Sequence, residues 1–323
     1  MLGAGAWGTA LAISLADRHA LSLWGRDISQ LEILARERRN QRYLPDVEFP
    51  ASLAIEPNLS VALANAELMI IATSTDGLAD TMNRAKSCRV PVIWACKGFH
   101  RGTGKLSHEI VAEMLPSGSL YGTLSGPSFA MEVARGLPCA LTLAANDFAF
   151  ARSMAAKLNG PALRIYSSDD LIGVELGGAL KNVMAIAAGM CDGMRLGMNA
   201  RAALITRGLA EMVRLGVAIG GKAETFMGLT GLGDLVLTAT GDLSRNRMVG
   251  VKLAEGKALA NILSEIGHVA EGVNSAATAL ALAKARQIDM PITAAVNAVL
   301  FDNANPRETV KQLLSREAGT EVR

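Results

Sequence analysis

The sequence predicts two dissimilar halves: a mainly parallel, doubly wound α/β domain over residues 1–168 and an all-helical domain over 169–323. Three observations predict it. Short, continuously apolar runs alternate with helical stretches up to Ser168, the pattern of strands covered on both faces by crossover helices. After Ser168 the strand pattern stops, and the remaining stretches favour helix. The chain also opens on a cluster of glycines that runs straight into the first helical stretch.

In chain order, the runs read as strands are Leu21–Trp24, Leu68–Thr73, Val90–Ala95, Tyr121–Ser125, Ala140–Leu143 and Leu163–Ser167. Between them, Thr9–Arg18, Ile28–Arg38, Gly104–Met114 and Phe148–Asn159 carry helical spacing, which implies βαβ units. In the second half, Gly173–Met190, Ala200–Gly216, Arg247–Glu255 and Ser275–Arg286 favour helix, Pro291 sits one residue inside another start, and Thr309–Ser315 closes the chain. Half of the 323 residues are apolar and 4% are aromatic, so aliphatic side chains fill the core and a disordered chain is excluded. Lys and Arg (32) balance Asp and Glu (30), which speaks against a nucleic-acid partner. No apolar run approaches the ~18 residues that span a bilayer, so membrane insertion is not expected. Cys88, Cys96, Cys139 and Cys191 lack CxxC spacing, and His19, His100, His108 and His268 lack metal-ligand spacing; a reduced, cytoplasmic protein without a metal is expected.

Gly3-Ala4-Gly5-Ala6-Trp7-Gly8 matches GxGxxG. Gly3 permits the tight turn, Gly5 lets backbone approach a pyrophosphate, and Gly8 lets helix and strand pack closely, with phosphate meeting the amide end of the helix. Opening an alternating β/α domain, the motif predicts a Rossmann-like dinucleotide site. Only Met1 and Leu2 precede it, so the first strand is expected to be truncated, through either a start upstream or a shortened strand. At the end of the next strand, Arg26 stands where an acidic residue would accept the ribose hydroxyls of NAD. An arginine there accommodates a 2′-phosphate, so NADPH is favoured, with NAD left open by the adjacent Asp27.

The stretch 175–191 is almost purely apolar yet carries Lys181 and Asn182. Burying an ammonium is costly and needs a reason; a general acid/base is one, a snorkelling lysine the alternative. Helical side chains lean toward the N-terminus, so Lys181 lies over Gly177 and Gly178, which are expected to leave room for a ligand. Lys97 follows a strand's carboxyl end, where open α/β sheets bind ligands. Ser125-Gly126-Pro127-Ser128-Phe129-Ala130 offers a glycine, a serine cap and a helix start; 229–234 brings Asp234 close to backbone; Ser244-Arg245-Asn246-Arg247 supplies a guanidinium fork for phosphate. Together they suit a small phosphorylated substrate.

The segments GAGAWGTALA at 3–12, WACKGF at 94–99, SGPSFAMEVARGLP at 125–138, GVELGGALKNVMAIAAG at 173–189, TGLGDLVLT at 230–238, SRNR at 244–247 and EGV at 271–273 resemble, in order, the bacterial NAD(P)-dependent glycerol-3-phosphate dehydrogenases. The resemblance implies a Rossmann-like N-terminal domain and a C-terminal helical fold like that of 6-phosphogluconate dehydrogenase. It implies reversible reduction of dihydroxyacetone phosphate to sn-glycerol 3-phosphate for glycerophospholipid synthesis, in a cytoplasmic homodimer. It implies Lys181 as general acid/base, and substrate contacts at Lys97, Gly126, Ser128, Lys181, Asp234, Ser244, Arg245 and Asn246. It implies cofactor contacts at Ala6, Trp7, Arg26, Lys97, Ala130, Arg245, Val269 and Glu271, beside the motif glycines Gly3, Gly5 and Gly8. Two other readings remain: a β-hydroxyacid or ketopantoate-type reductase, whose substrates carry a carboxylate, and a dinucleotide sensor, which has no need of a proton donor.

Overall fold

The computed structural model describes residues 1–267 and 270–314. Two compact units divide the chain, one formed by Met1–Gly178 with Gly220–Asp234, the other by Ala179–Ile219 with Leu235–Arg323. The strand pattern does end at Ser168, but the units part further on, at Gly178, inside the helix Leu171–Gly193.

In the first unit, Met69–Ile71, Val92–Trp94, Tyr121–Ser125, Cys139–Ala145 and Leu163–Ser168 form one sheet in that spatial order. All pairs are parallel except Tyr121–Ser125 with Cys139–Ala145, which run antiparallel. Leu21–Leu23 pairs in parallel with Leu53–Ile55. Leu2, expected to lie in a short first strand, bridges both groups by pairing in parallel with Trp24 and Ile71. Its amide donates to Ile70 O at 2.7 Å and its carbonyl accepts from Ala72 N at 2.8 Å.

Side-chain alternation sorts these strands onto two apolar layers. Ile70 and Ile93 join Leu11, Leu15, Leu141 and Phe150 on one face. Met69, Ile71, Val92 and Trp94 join Leu23, Leu31 and Leu78 on the other. Asp27 and Asp147 start the helices Ile28–Glu37 and Phe148–Leu158 by accepting the Gln30 and Phe150 amides. The helix Thr75–Arg84 and the antiparallel pair Arg39–Asn40 with Leu44–Glu48 are not foreshadowed by the sequence pattern. The pair is too short to show a period, and the buried face of the helix, Thr75, Leu78, Thr81 and Met82, is half threonine.

Among its described residues the second unit consists of helices and the turns that join them. Here Glu211, 1% exposed, receives the amides of Ile292 and Thr293 and the Thr293 hydroxyl, which fastens the start of the helix Pro291–Phe301. Burial raises its pKa against those hydrogen bonds. Gly189 and Gly250 let the helices Leu171–Gly193 and Arg245–Ala254 meet backbone to backbone: an added Cβ would lie 2.0 Å from Arg247 O or from Ile186 O, respectively. One expectation needs correcting. The helix Leu171–Gly193 is long and apolar enough to cross a membrane by length and composition alone, but its apolar window is 89% buried within the molecule. It is a core helix, as its nearly unbroken apolar surface requires.

Candidate active site

The glycine turn behaves as its spacing demands, each position for a different reason. Gly3 has φ +121°, and a Cβ there would sit 2.6 Å from Ala72 O. A Cβ at Gly8 would sit 1.9 Å from Gly3 O. At Gly5 the same atom meets nothing within 4 Å. Gly5 precedes the helix Ala6–Ala16 with no side chain capping it, so the first-turn amides of Ala6 and its neighbours face that open space. This is a cradle for a pyrophosphate, which fits a dinucleotide. Buried Asn40 holds the turn in shape by donating to Ala4 O at 3.1 Å and to Thr9 Oγ1 at 2.9 Å. Nothing local in a two-residue strand marks Asn40 in the sequence. Trp7 is half-buried, and its Nε1 has no hydrogen-bond partner among the described residues.

Arg26 is exposed in the turn after Leu21–Leu23 and lines a cleft of about 460 Å³ with Trp24, Gly25 and Pro57. The adjacent Asp27 does not line it, because its carboxylate is engaged as a helix cap, accepting Gln30 N at 3.1 Å.

A second cluster of the first unit gathers at the carboxyl ends of two strands. Lys97 Nζ donates to Asp234 Oδ2 at 2.7 Å and to Gly126 O at 3.0 Å. Asp234 is 1% exposed, so this pair is desolvated and charge-assisted. Gly126, at φ +141°, has no room for a side chain: a Cβ would meet Ala140 O at 3.0 Å. Ser128 is not the helix cap that the sequence suggests. Instead its hydroxyl donates to Gly126 O at 2.9 Å, and Phe129 occupies the cap position before Ala130. The beginning of the strand Cys139–Ala145 brings a thiol to the same cluster, donating to Pro127 O at 3.3 Å. Burial pushes the Cys139 thiol up to about 11, against the pull of Lys97, so it stays protonated and contributes no nucleophile.

The helix Leu171–Gly193 enters the first unit with Glu175 and two glycines. Buried Glu175 accepts from Trp94 Nε1 at 2.8 Å, from His108 N at 3.1 Å, and bonds His108 Nδ1 at 2.5 Å. Gly177 and Gly178 do not leave the expected open room. An added Cβ at Gly177 would meet Thr230 O at 2.6 Å, and one at Gly178 would meet Ser125 Oγ at 2.9 Å and Lys97 Cγ at 3.3 Å. The neighbours have closed onto the bare helix.

In the second unit, Lys181 is 7% exposed, and its Nζ donates to Thr238 Oγ1 at 2.8 Å. Thr238 lies one helical turn after Asp234 in Asp234–Thr240, an i, i+4 spacing that was a usable signal. Asn182 Oδ1 accepts from Asn246 Nδ2 at 2.9 Å, and Asn246 Oδ1 accepts from Gly272 N at 3.0 Å, beside Glu271 at the start of Glu271–Ala285. Ser244 caps Arg245–Ala254 by accepting Arg247 N at 3.2 Å. The two arginines of that segment differ. Arg247 is spent on Asp192 at 2.8 Å and Asp242 at 3.0 Å, whereas Arg245 is exposed with no hydrogen bond or ion pair among the described residues. Val269 lies outside the described residues.

Residues 1–151 match the family model described as NAD-dependent glycerol-3-phosphate dehydrogenase N-terminus, and residues 170–311 match the one described as its C-terminus. The glycerol-3-phosphate dehydrogenase (NAD(P)+) of Janthinobacterium sp. (strain Marseille) is 56% identical over 100% of this chain and 98% of its own length. That of Dechloromonas aromatica is 53% identical over the same shares. The crystal structure of a glycerol-3-phosphate dehydrogenase from Coxiella burnetii superposes with a TM-score of 0.92 at 41% identity, covering 98% of each chain.

Proposed function

The chain belongs to the NAD-dependent glycerol-3-phosphate dehydrogenase family, and from that premise we propose how its residues divide the work. It is an NAD(P)-dependent oxidoreductase that interconverts sn-glycerol 3-phosphate and dihydroxyacetone phosphate. When bound, the nicotinamide cofactor supplies or accepts a hydride at the substrate's C2. The observation that carries the rest is a buried ammonium, that of Lys181, set in an apolar helix and hydrogen-bonded to Thr238.

Gly5 and the first-turn amides of Ala6–Ala16 hold the pyrophosphate, as the open space over Gly5 allows. Lys181 gives a proton to the oxygen that gains charge at C2 during reduction, and its neutral amine takes the hydroxyl proton in the reverse direction. Thr238, accepting from Nζ, orients the ammonium. Lys97, locked to Asp234 and Gly126 O, presents fixed positive charge, which stabilises the developing negative charge without reorganisation. Arg245 has its guanidinium free for the substrate phosphate, on a helix turn that Ser244 and Asn246 hold in place. Ser128, Ala130, Trp7, Glu271 and Val269 keep the contact roles that the family motif implies.

Cofactor choice falls to NADPH, supported by Arg26 on the cleft and by Asp27 being occupied elsewhere. Glycerophospholipid synthesis is the use of the product. A homodimer is supported by exposed apolar side chains on the second unit, among them Met198, Leu243 and Phe301. Four free cysteines accord with a cytoplasmic setting.

The test is Lys181→Ala, followed by loss of nicotinamide absorbance with dihydroxyacetone phosphate. Turnover falls by roughly 10²–10⁴-fold, the usual contribution of a positioned general acid, while cofactor affinity stays within about twofold. Turnover near wild type removes Lys181 from the chemistry.

A further inference from the structure

The cleft beside Arg26 holds a second cation that no motif marks. We propose that Arg84 shares the 2′-phosphate of NADP(H) with Arg26 and so sets cofactor choice; this rests on the reading of Arg26 above. Arg84 is the last residue of the helix Thr75–Arg84, and Arg26 follows the strand Leu21–Leu23, so two separate elements bring guanidinium groups to one cleft. Ile28, Pro57 and Leu59 give that cleft an apolar wall suited to an adenine ring.

The charge balance of the lining is the argument. An adenosine ribose with free hydroxyls calls for a carboxylate acceptor, and none lines the cleft among the described residues. The nearest acids in sequence are committed to backbone: Asp27 accepts Gln30 N, and Glu56 Oε1 accepts Asn58 N at 2.8 Å. Arg84 is held on one side only. Its Nε donates to Asp80 Oδ2 at 2.9 Å, one turn back along the helix, and its two terminal amino groups have no partner among the described residues. Arg26 makes no hydrogen bond or ion pair among the described residues. Two guanidinium groups, one unpaired among the described residues and one held by Asp80 through its Nε alone, match a phosphate monoester carrying about −1.5 to −2 charges at neutral pH. A basic residue in the last turn of a helix needs no ligand to explain it, but helix-end electrostatics does not account for the second arginine across the cleft.

The experiment compares Arg84→Met, which keeps the aliphatic stem, with Arg84→Lys and Arg26→Ala. Two readouts are taken: the ratio of KM for NADPH to KM for NADH, and the ratio of inhibition constants for adenosine 2′,5′-bisphosphate and 5′-AMP. Arg84→Met shifts both ratios against the 2′-phosphate by roughly tenfold, the worth of one charge-assisted contact. Arg84→Lys restores part of the shift, since it keeps charge but loses the fork. Ratios unchanged in Arg84→Met but collapsed in Arg26→Ala overturn the role of Arg84 and leave the Arg26 reading standing. Ratios unchanged in both variants overturn the two together. Equal weakening toward both cofactors in Arg84→Met assigns it to packing, and the proposal fails.

Discussion

Glycines that look alike in the sequence do opposite things in the molecule: Gly5 stays open, while Gly3, Gly8 and the glycines of the helix Leu171–Gly193 are closely packed. In the opening turn, Gly5 faces empty space, and a Cβ there would touch nothing. Along the helix Leu171–Gly193, the positions Gly177, Gly178 and Gly189 are filled by Thr230 O, by Ser125 and Lys97, and by Arg247 O. A missing side chain is therefore either room kept for a ligand or room taken by a neighbour. The first kind leaves stability alone and governs binding; the second governs stability, and function only through position. Lys181 is positioned by the second kind, since it rides on a helix whose glycines serve close packing.

The largest effect expected from this contrast is at Gly250, the partner of that packed helix. In Gly250→Ala the new methyl lies 2.0 Å from Ile186 O and 2.7 Å from Met190 N, both backbone atoms that cannot swing away. Overpacking of this kind costs about 3 kcal/mol, read as a lower urea midpoint at unchanged slope. A midpoint equal to wild type breaks the comparison on its filled side.

Gly5→Ala tests the open side. Gly5 has φ −78°, which alanine adopts freely, so stability stays within about 0.5 kcal/mol. The methyl intrudes where the pyrophosphate meets the amides, and cofactor KM rises roughly tenfold. Unchanged KM would mean that the cradle is not used.

A smaller effect concerns the anchor that seats the same helix. Burial opposes protonation of His108, but its hydrogen bond to Glu175 and the charges of Glu175 and Glu109 prevail and raise its pKa above 6.5. Burial likewise raises Glu175, against the bonds from His108 and Trp94. Both groups hold protons more tightly folded than unfolded. Each therefore adds stability below its unfolded pKa that is lost as pH rises through the folded one. Wild-type stability falls as pH climbs through a window that opens near 4.5 for Glu175 and near 6.5 for His108. Glu175→Gln removes one titration and leaves only the charge of Glu109 to oppose burial at the other, so the fall shrinks. A fall of equal size in the variant refutes the pairing.

Much of this was legible beforehand because the signals were local. Strands such as Met69–Ile71 and Val92–Trp94 are buried on both faces, which forces the continuous apolar runs by which they were found. GxGxxG was readable because the whole motif lies within six residues, whatever each glycine meets. Lys181 stood out because an ammonium in an apolar helix is expensive wherever it ends up. Asn40 and Ser128 were illegible in their actual roles. One reaches back across the fold to Ala4 and Thr9, and the other turns from its helix toward the Gly126 carbonyl.

Taken alone, the amino-acid order determined the alternating α/β half, the helical half, the dinucleotide turn and the candidate proton donor. Those follow from periodicity, backbone freedom and the cost of burying charge, all of which act over one or two turns of chain. Tertiary structure decided which glycines stay open, which arginine of Arg245 and Arg247 keeps its guanidinium free, and that Asp27 caps a helix while Arg26 and Arg84 share a cleft. These depend on groups brought together from distant segments, and a hydrogen bond or a clash is settled by the partner's position in space, not by its place along the chain.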